Sequence, residues 1–306
     1  MGVYVVRRLL HMIPVVLVVV TLVFLMLHLI PGDPAQLMLD PSASAQEVAA
    51  LRHQLGLDQP IGREYVEFLG HLLRGSIGVS FKTGRSALAD ALPPFQRTVE
   101  LAAASVVFAA VLGVGLGIAA GAWSRSVLSP ITMLVALLGV SVPTFWLGLL
   151  LIIVFSLKLG LLPAGGAGSW QALVLPAVTL GSFSLGVIAR ITRASMTEVL
   201  HADYVRTARA KGAPERIVIL RHAFRNALIP VITITSLSFG YALGGAVATE
   251  TVFAWPGLGR HIVGAILARD YPSVQAGLFL FALSFLIVNL GMDLAYAAVN
   301  PRITYR

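Results

Sequence analysis

The sequence predicts an all-α integral membrane protein with six transmembrane helices and a helical segment outside the bilayer between the first two. Hydrophobic residues fill 57% of the 306 positions and charged residues only 12%, and mean hydropathy is +0.87. A soluble domain covers itself with about 25% charged residues, so this chain must hide most of its exterior in lipid. Six apolar stretches, 9–30, 99–122, 131–157, 171–189, 227–249 and 274–299, approach or exceed the roughly 20 helical residues that cross a bilayer core. The basic residues are also unevenly distributed. Eight of the 22 lie in 190–226, between spans four and five, whereas 158–170 holds only Lys158 and 250–273 only Arg260 and Arg269. Positive charge collects in cytoplasmic loops, which places 190–226 and both termini inside and makes the net charge of +8 a matter of topology. With no soluble basic domain to carry nucleic acid, that class is excluded.

The first span follows Arg7-Arg8 and runs for 22 residues, longer than the about 7–15 of a secretory signal core. Pro31-Gly32-Asp33-Pro34 follows it where a small-residue cleavage site would stand, so it reads as an uncleaved anchor. The external segment 31–98 carries six basic and seven acidic residues. Its pattern predicts short helices around 44–55 and 61–74, separated by Gly56-Leu57-Asp58-Gln59-Pro60. Residues 1–98 are thus the first span plus an external segment, and 99–300 the main membrane domain.

In span two, Gly113, Gly117 and Gly121 recur every four residues, a spacing that lets a neighbouring helix approach closely. Pro143, Pro176 and Pro230 in spans three, four and five remove backbone donors and permit kinks. No charge lies near the middle of any span, because Glu100, Arg190 and Asp293 stand near ends. Proton- and sodium-driven carriers need such charges, so the driving force is expected from elsewhere. The polar groups left for a translocation path include Ser141, Thr144, Thr235, Ser238 and Asn289.

The sequence offers no chemistry of its own. A phosphate-binding loop needs Gly-Lys before Ser or Thr, yet Lys82, Lys158 and Lys211 follow Phe81, Leu157 and Ala210. There is no cysteine, the seven histidines are scattered, and neither Gly-x-Ser-x-Gly nor His-Glu-x-x-His occurs. No catalytic residue, metal site or cofactor is expected in this chain.

Segment 190–226 reads as a helix, a break at Gly212-Ala213-Pro214 and a second helix. Its stretch Asp203-Tyr204-Val205-Arg206-Thr207-Ala208-Arg209-Ala210-Lys211-Gly212 resembles the EAA loop of membrane subunits in binding-protein-dependent ABC importers. The continuation His222-Ala223-Phe224-Arg225-Asn226-Ala227-Leu228-Ile229-Pro230 is similar to the peptide-importing branch. So are Pro31-Gly32-Asp33-Pro34, Leu55–Pro60, Gly75-Ser76-Ile77-Gly78-Val79-Ser80, Glu250–Phe253, Trp255–Arg260, Arg269-Asp270-Tyr271-Pro272 and Asn300–Tyr305. Arg206 and Thr207 stand where the wider family has Glu and Ala, and Ser76 where this branch has Asp.

The resemblance, to the B-type permease subunit of dipeptide, oligopeptide and nickel importers, covers nearly the whole chain. It implies a type I importer permease fold in a bacterial inner membrane. It also implies a second permease, two ATP-binding cassette subunits carrying ATP and Mg²⁺, and an external substrate-binding protein. The cargo it implies is a di- or oligopeptide or a glutathione-like molecule, with nickel or another small solute as the alternative. It assigns coupling to the ATPase to Asp203, Arg206, Thr207, Ala208, Ala210 and Gly212, with the Thr207–Ala208–Ala210 side entering a groove on the partner. An autonomous secondary carrier is the competing class; midplane charges, or inverted repeats with broken helices, would favour it, and the charges are missing here while no repeat is detected in the sequence.

Overall fold

A computed structural model describes residues 2–29, 35, 39, 43–54, 58–124 and 126–299. The Pro31–Pro34, Leu55–Leu57 and Asn300–Tyr305 parts of the motifs lie outside them, as does Arg302. The described elements are helices α1 (Gly2–Leu29), α2 (Ala45–Gln54), α3 (Ile61–Leu73), α4 (Ala87–Ala122), α5 (Leu128–Ser141), α6 (Thr144–Leu151), α7 (Gln171–Leu200), α8 (Asp203–Ala210), α9 (Glu215–Val252), α10 (Leu258–Leu267) and α11 (Tyr271–Val299). Wide π-type turns extend α6 over Ile152–Lys158 and interrupt α9 over Val218–Ala223.

Four of these, α4, α7, α9 and α11, are long and apolar enough to cross a membrane, and the bent pair α5–α6 makes a fifth if it is one span. α1 adds a shorter apolar stretch over Met12–Leu25. The third span expected over 131–157 is broken at Pro143, one of the three prolines that permit kinks. Val142, at φ −84° and ψ 127°, is extended and ends α5, because the ring of Pro143 disfavours helical geometry in the residue before it. Pro176 lies inside α7 and Pro230 inside the Phe224–Val252 part of α9, and neither ends its helix.

The chain divides into two compact units. One comprises Thr98–Pro256 and the chain from Ile287 onward, the other Gly2–Arg97 and Gly257–Leu286. In the first, α7 is the most deeply buried crossing helix. The glycines of α4 lie against it. A Cβ on Gly117 would sit 2.7 Å from the Ala189 carbonyl oxygen and overlap the Thr192 Cβ; one on Gly113 would sit 2.9 Å from Leu185 O, and one on Gly121 2.7 Å from Met196 Cβ. α7 answers with its own small residues, Gly181 against Ser105 O of α4 and Gly186 against Ala136 O of α5. Lipid gives helices no hydrophobic reason to associate, so these backbone approaches supply the van der Waals contact that holds them. Leu101, Val106, Leu180, Leu243 and Trp255 form the largest apolar cluster of this unit. Beside it Thr98 donates to the fully buried Glu250 carboxylate at 2.5 Å.

In the second unit, Ser44 caps α2 reciprocally. Its hydroxyl accepts from the Glu47 backbone N–H, and the Glu47 carboxylate accepts from the Ser44 N–H at 2.7 Å. α3 rests on α1 through Phe24, whose ring lies 5.2 Å from Tyr65 and 5.5 Å from Phe68, and through a 2.6 Å hydrogen bond between Thr21 and Tyr65. Ile77, Ala87, Leu258, Ile262, Val274 and Leu280 form its core.

Asp270 ties the 75–86 loop to the start of α11. Its carboxylate accepts from the hydroxyls of Ser80 (2.5 Å) and Ser273 (2.7 Å) and from the Phe81 N–H (3.1 Å). Burial alone would raise this carboxyl, but the hydroxyl and backbone donors outweigh it and hold it below its ordinary value. A depressed folded-state value means the stabilisation is full above the ordinary carboxylate range. It is lost as pH falls through the lowered value. We therefore expect Asp270→Ala to destabilise the protein by on the order of 3 kcal/mol, since hydrogen bonds to a charged group contribute about 1.5–3 kcal/mol each. Asp270→Asn should flatten the acid limb of a plot of melting temperature against pH; an unchanged acid limb would remove this role.

Candidate functional site

The cytoplasm-assigned segment folds as a short helix held between two long ones. α8 begins after Ala202, which is extended at φ −70° and ψ 149°, and ends at a left-handed Gly212 with φ +80°. The Ala213 N–H donates to Ala208 O at 3.2 Å and the Gly212 N–H to Arg209 O at 2.9 Å. This pair of bonds is a Schellman cap, whose left-handed position falls to glycine for want of a Cβ. Pro214 then starts α9, where proline's missing donor does no harm.

Two faces of α8 do different things. Val205 and Ala208, three residues apart, are buried at 0% and 8% exposure among Met196 and Leu200 of α7 and Val218, Ile219, Ala223 and Ala227 of α9. Asp203, Arg206, Thr207 and Ala210 fall on the opposite face and are exposed, with Tyr204 beside them. Ala208 was expected on the outward side. It faces inward instead, because Val205 and Ala208, three residues apart on one face, cover the junction of α7 and α9. Thr207 contributes its methyl and not its hydroxyl, which donates to Asp203 O at 2.9 Å.

Charge is arranged around the cap. Arg209 makes a two-pronged pair with Glu215, Nε–Oε2 at 3.1 Å and Nη2–Oε1 at 2.7 Å, bridging the turn at Gly212. Both side chains are about half exposed, so the pair is worth no more than about 1 kcal/mol. It was not singled out in the sequence, although a Lys/Arg–Glu pair flanking Gly-x-Pro is a readable pattern. Arg206 approaches Asp203 at 3.5 Å. Lys211 extends the exposed basic edge.

The polar residues of the spans have different surroundings. Thr235 and Ser238 donate to the carbonyls of Val231 and Ile234, four residues back in α9, both at 2.8 Å. Ser238 is buried, Ser141 is exposed at the end of α5, Thr144 opens α6, and Asn289 is half-buried in α11. The internal hydrogen bonds leave Thr235 and Ser238 as acceptors more than donors. No contact gathers the five into one site comparable to the α8 junction.

Comparison with known proteins decides what this arrangement belongs to. Residues 113–305 match the family described as binding-protein-dependent transport system inner membrane component, and residues 1–93 match its N-terminal family. The chain is a member of this family. The permease is 46% identical over 303 residues, 99% of each chain, to the glutathione transport system permease protein GsiC of Salmonella choleraesuis strain SC-B67. Its identity and coverage are the same against GsiC of Escherichia coli strain K12. Its fold matches the inward-facing MetNI methionine ABC transporter with a TM-score of 0.58 at 18% identity, over 69% of the permease and 96% of that chain. The permease is therefore a transport component of the binding-protein-dependent family, with a type I importer fold and embedded in the inner membrane.

Proposed function

We propose that this permease forms, with a second homologous permease, the translocation path of an ATP-driven importer for glutathione-like or other short peptides. The full-length identity to glutathione permeases carries this reading. Two ATP-binding subunits hold ATP and Mg²⁺ and perform the hydrolysis, and an extracytoplasmic binding protein delivers the cargo. The chain crosses the bacterial inner membrane six times with both termini inside. Residues 1–98 supply the first span and external segment, and 99–300 the membrane domain with its coupling loop at 190–226.

Coupling takes place on α8. Its exposed residues Asp203, Arg206, Thr207 and Ala210 enter a groove on the ATPase, while Gly212 sets the direction in which the helix ends. Basic side chains at the C-terminal end complement the helix dipole and meet carboxylates on the partner. Val205 and Ala208 lock α8 to α7 and α9, so a push on α8 moves two spans, and the glycine contacts pass the movement from α7 to α4. Ser141, Thr144, Thr235, Ser238 and Asn289 give a weakly polar path suited to release rather than tight binding.

Reconstitution tests the reading. The complete complex with binding protein should concentrate radiolabelled glutathione or dipeptide in proteoliposomes containing ATP, and this chain alone should do neither that nor hydrolyse ATP. Concentrative uptake by the chain alone in ATP-free liposomes would overturn it.

A further inference from the structure

Helix α3 carries more apolar surface than its own unit covers. Around its axis Ile61, Tyr65, Phe68 and Leu72 fall on one side, Val66, Leu69 and Leu73 on the next, and Arg63, Glu67 and His71 on the third. The first side is engaged. Tyr65 and Phe68 lie beside Phe24 of α1, and Phe68 and Leu72 pack against the cluster that includes Ile262 and Leu280. The second side is bare. Val66 is 66% exposed and Leu73 89%, seven residues apart on one face. With 13 residues α3 is too short to cross a bilayer core.

Contacts within the unit set the depth of that bare face. Gln275 of α11 donates to the Val23 carbonyl of α1 at 3.1 Å, which puts Val23 level with a point about 6 Å along α11 from Tyr271. Charged Arg269 and Asp270 stand just before Tyr271, so the polar–apolar boundary of α11 falls at this level. α3 meets α1 there too. The Tyr65 hydroxyl bonds Thr21 at 2.6 Å, and the Thr21 hydroxyl donates to Leu17 O at 2.7 Å. Both hydroxyls are satisfied inside the protein, as polar groups are where water is absent. Val18 and Leu22 are exposed on the adjoining face of α1, so lipid-facing surface continues up α1 to α3. α10 adds a second bare apolar pair at this level: Ile262 lies against Gly277 of α11, and Ile266 and Leu267, a turn further on, are exposed.

We propose that α3 lies in the headgroup–acyl boundary of the bilayer, with Val66, Leu69 and Leu73 against acyl chains and Arg63, Glu67 and His71 among the headgroups. The leaflet is the outer one in the six-span topology. Arg63 pairs with Glu67 at 3.5 Å, and Arg74 balances Glu64 in the count, so α3 and its C-terminal cap have no net charge. Apolar area therefore seats the helix, and anionic lipid is not required.

Depth measurement tests the assignment. The chain contains no cysteine, so single nitroxide labels on Val66→Cys, Leu73→Cys and Glu67→Cys report one position each. All three positions are exposed, so a label displaces no neighbour. The full-length permease, alone and assembled with its partners, is placed in phosphatidylcholine nanodiscs, and the collision of each label with oxygen is compared with its collision with a water-soluble nickel chelate. Labels at 66 and 73 should favour oxygen and report a depth of about 5–10 Å into the boundary, while the label at 67 should favour the chelate. Adding phosphatidylglycerol should leave these depths unchanged. The proposal fails if labels at 66 and 73 meet the chelate as freely as the label at 67, which would leave α3 in water. It fails equally if they are shielded from both reagents, because protein then covers the face, or if they enter the boundary only with anionic lipid.

Discussion

Gly117→Val should cost the permease most of its folded yield, while Gly115→Val two positions away leaves that yield near the wild-type level. A Cβ on Gly117 would overlap the Thr192 Cβ and press within 2.7 Å of the Ala189 carbonyl oxygen, whereas one on Gly115 meets nothing within 4 Å. Both substitutions carry the same β-branched penalty in a helix, so the difference between them isolates the α4–α7 contact. The obstacle at 117 is partly backbone, which cannot rotate out of the way. The helices must separate, and overpacking of this kind costs about 1–3 kcal/mol or more. Separation also forfeits the contacts that Gly113 and Gly121 make on the same face. Monodispersity and thermal unfolding of the detergent-solubilised protein measure the effect. Equal melting temperatures for the two variants would show that α4 and α7 do not depend on close approach.

Gly212→Val is the second large effect, and it should appear in transport while the permease itself stays folded. The residue sits at φ +80° with open space around its Cα, so the penalty is conformational. A β-branched residue disfavours that geometry by about 1–2 kcal/mol, a factor of about 5–30 in the population of the cap. The Ala213–Ala208 and Gly212–Arg209 hydrogen bonds depend on it. Uptake by vesicles carrying the complete complex should fall by a similar factor, together with co-purification of the ATPase. Gly212→Asn should retain most activity, because asparagine tolerates the left-handed region. That rescue separates a need for the turn from a need for empty space against the partner. Normal uptake in Gly212→Val would return α8 to an ordinary basic loop. Ala208→Asp, by contrast, would place a carboxylate in the Met196–Val218 cluster and report on the permease's own packing.

Much of this architecture was legible because it depends on local pattern. The hydropathy of 99–122, 171–189 and 227–249 sets the long helices α4, α7 and α9, since an apolar stretch in lipid must satisfy its backbone internally. The four-residue glycine spacing marked the face of α4 that lies against α7. Short helices near 44–55 and 61–74 match α2 and α3, and the Ser44–Glu47 pair is a local start signal. Gly212 and Pro214 punctuate the α8 turn through their own backbone preferences.

Tertiary structure decided the features that need a distant partner. Periodicity marks Val205 and Ala208 as one face of α8, but only the positions of Met196, Val218 and Ile219 make that face the buried one. Two helices end at left-handed residues that no sequence rule anticipates, Ala254 at φ 48° and Arg269 at φ 56°. Both form the same cap as Gly212, with Trp255 donating to Glu250 O and Asp270 to Ala265 O. A non-glycine residue there costs about 1 kcal/mol locally. Burial of Trp255 at one site and the Ser80, Phe81 and Ser273 contacts of Asp270 at the other more than offset it. Ser80 and Asp270 are 190 residues apart. Their pairing belongs to the folded chain, because the energy that selects each turn comes from residues the local sequence does not contain.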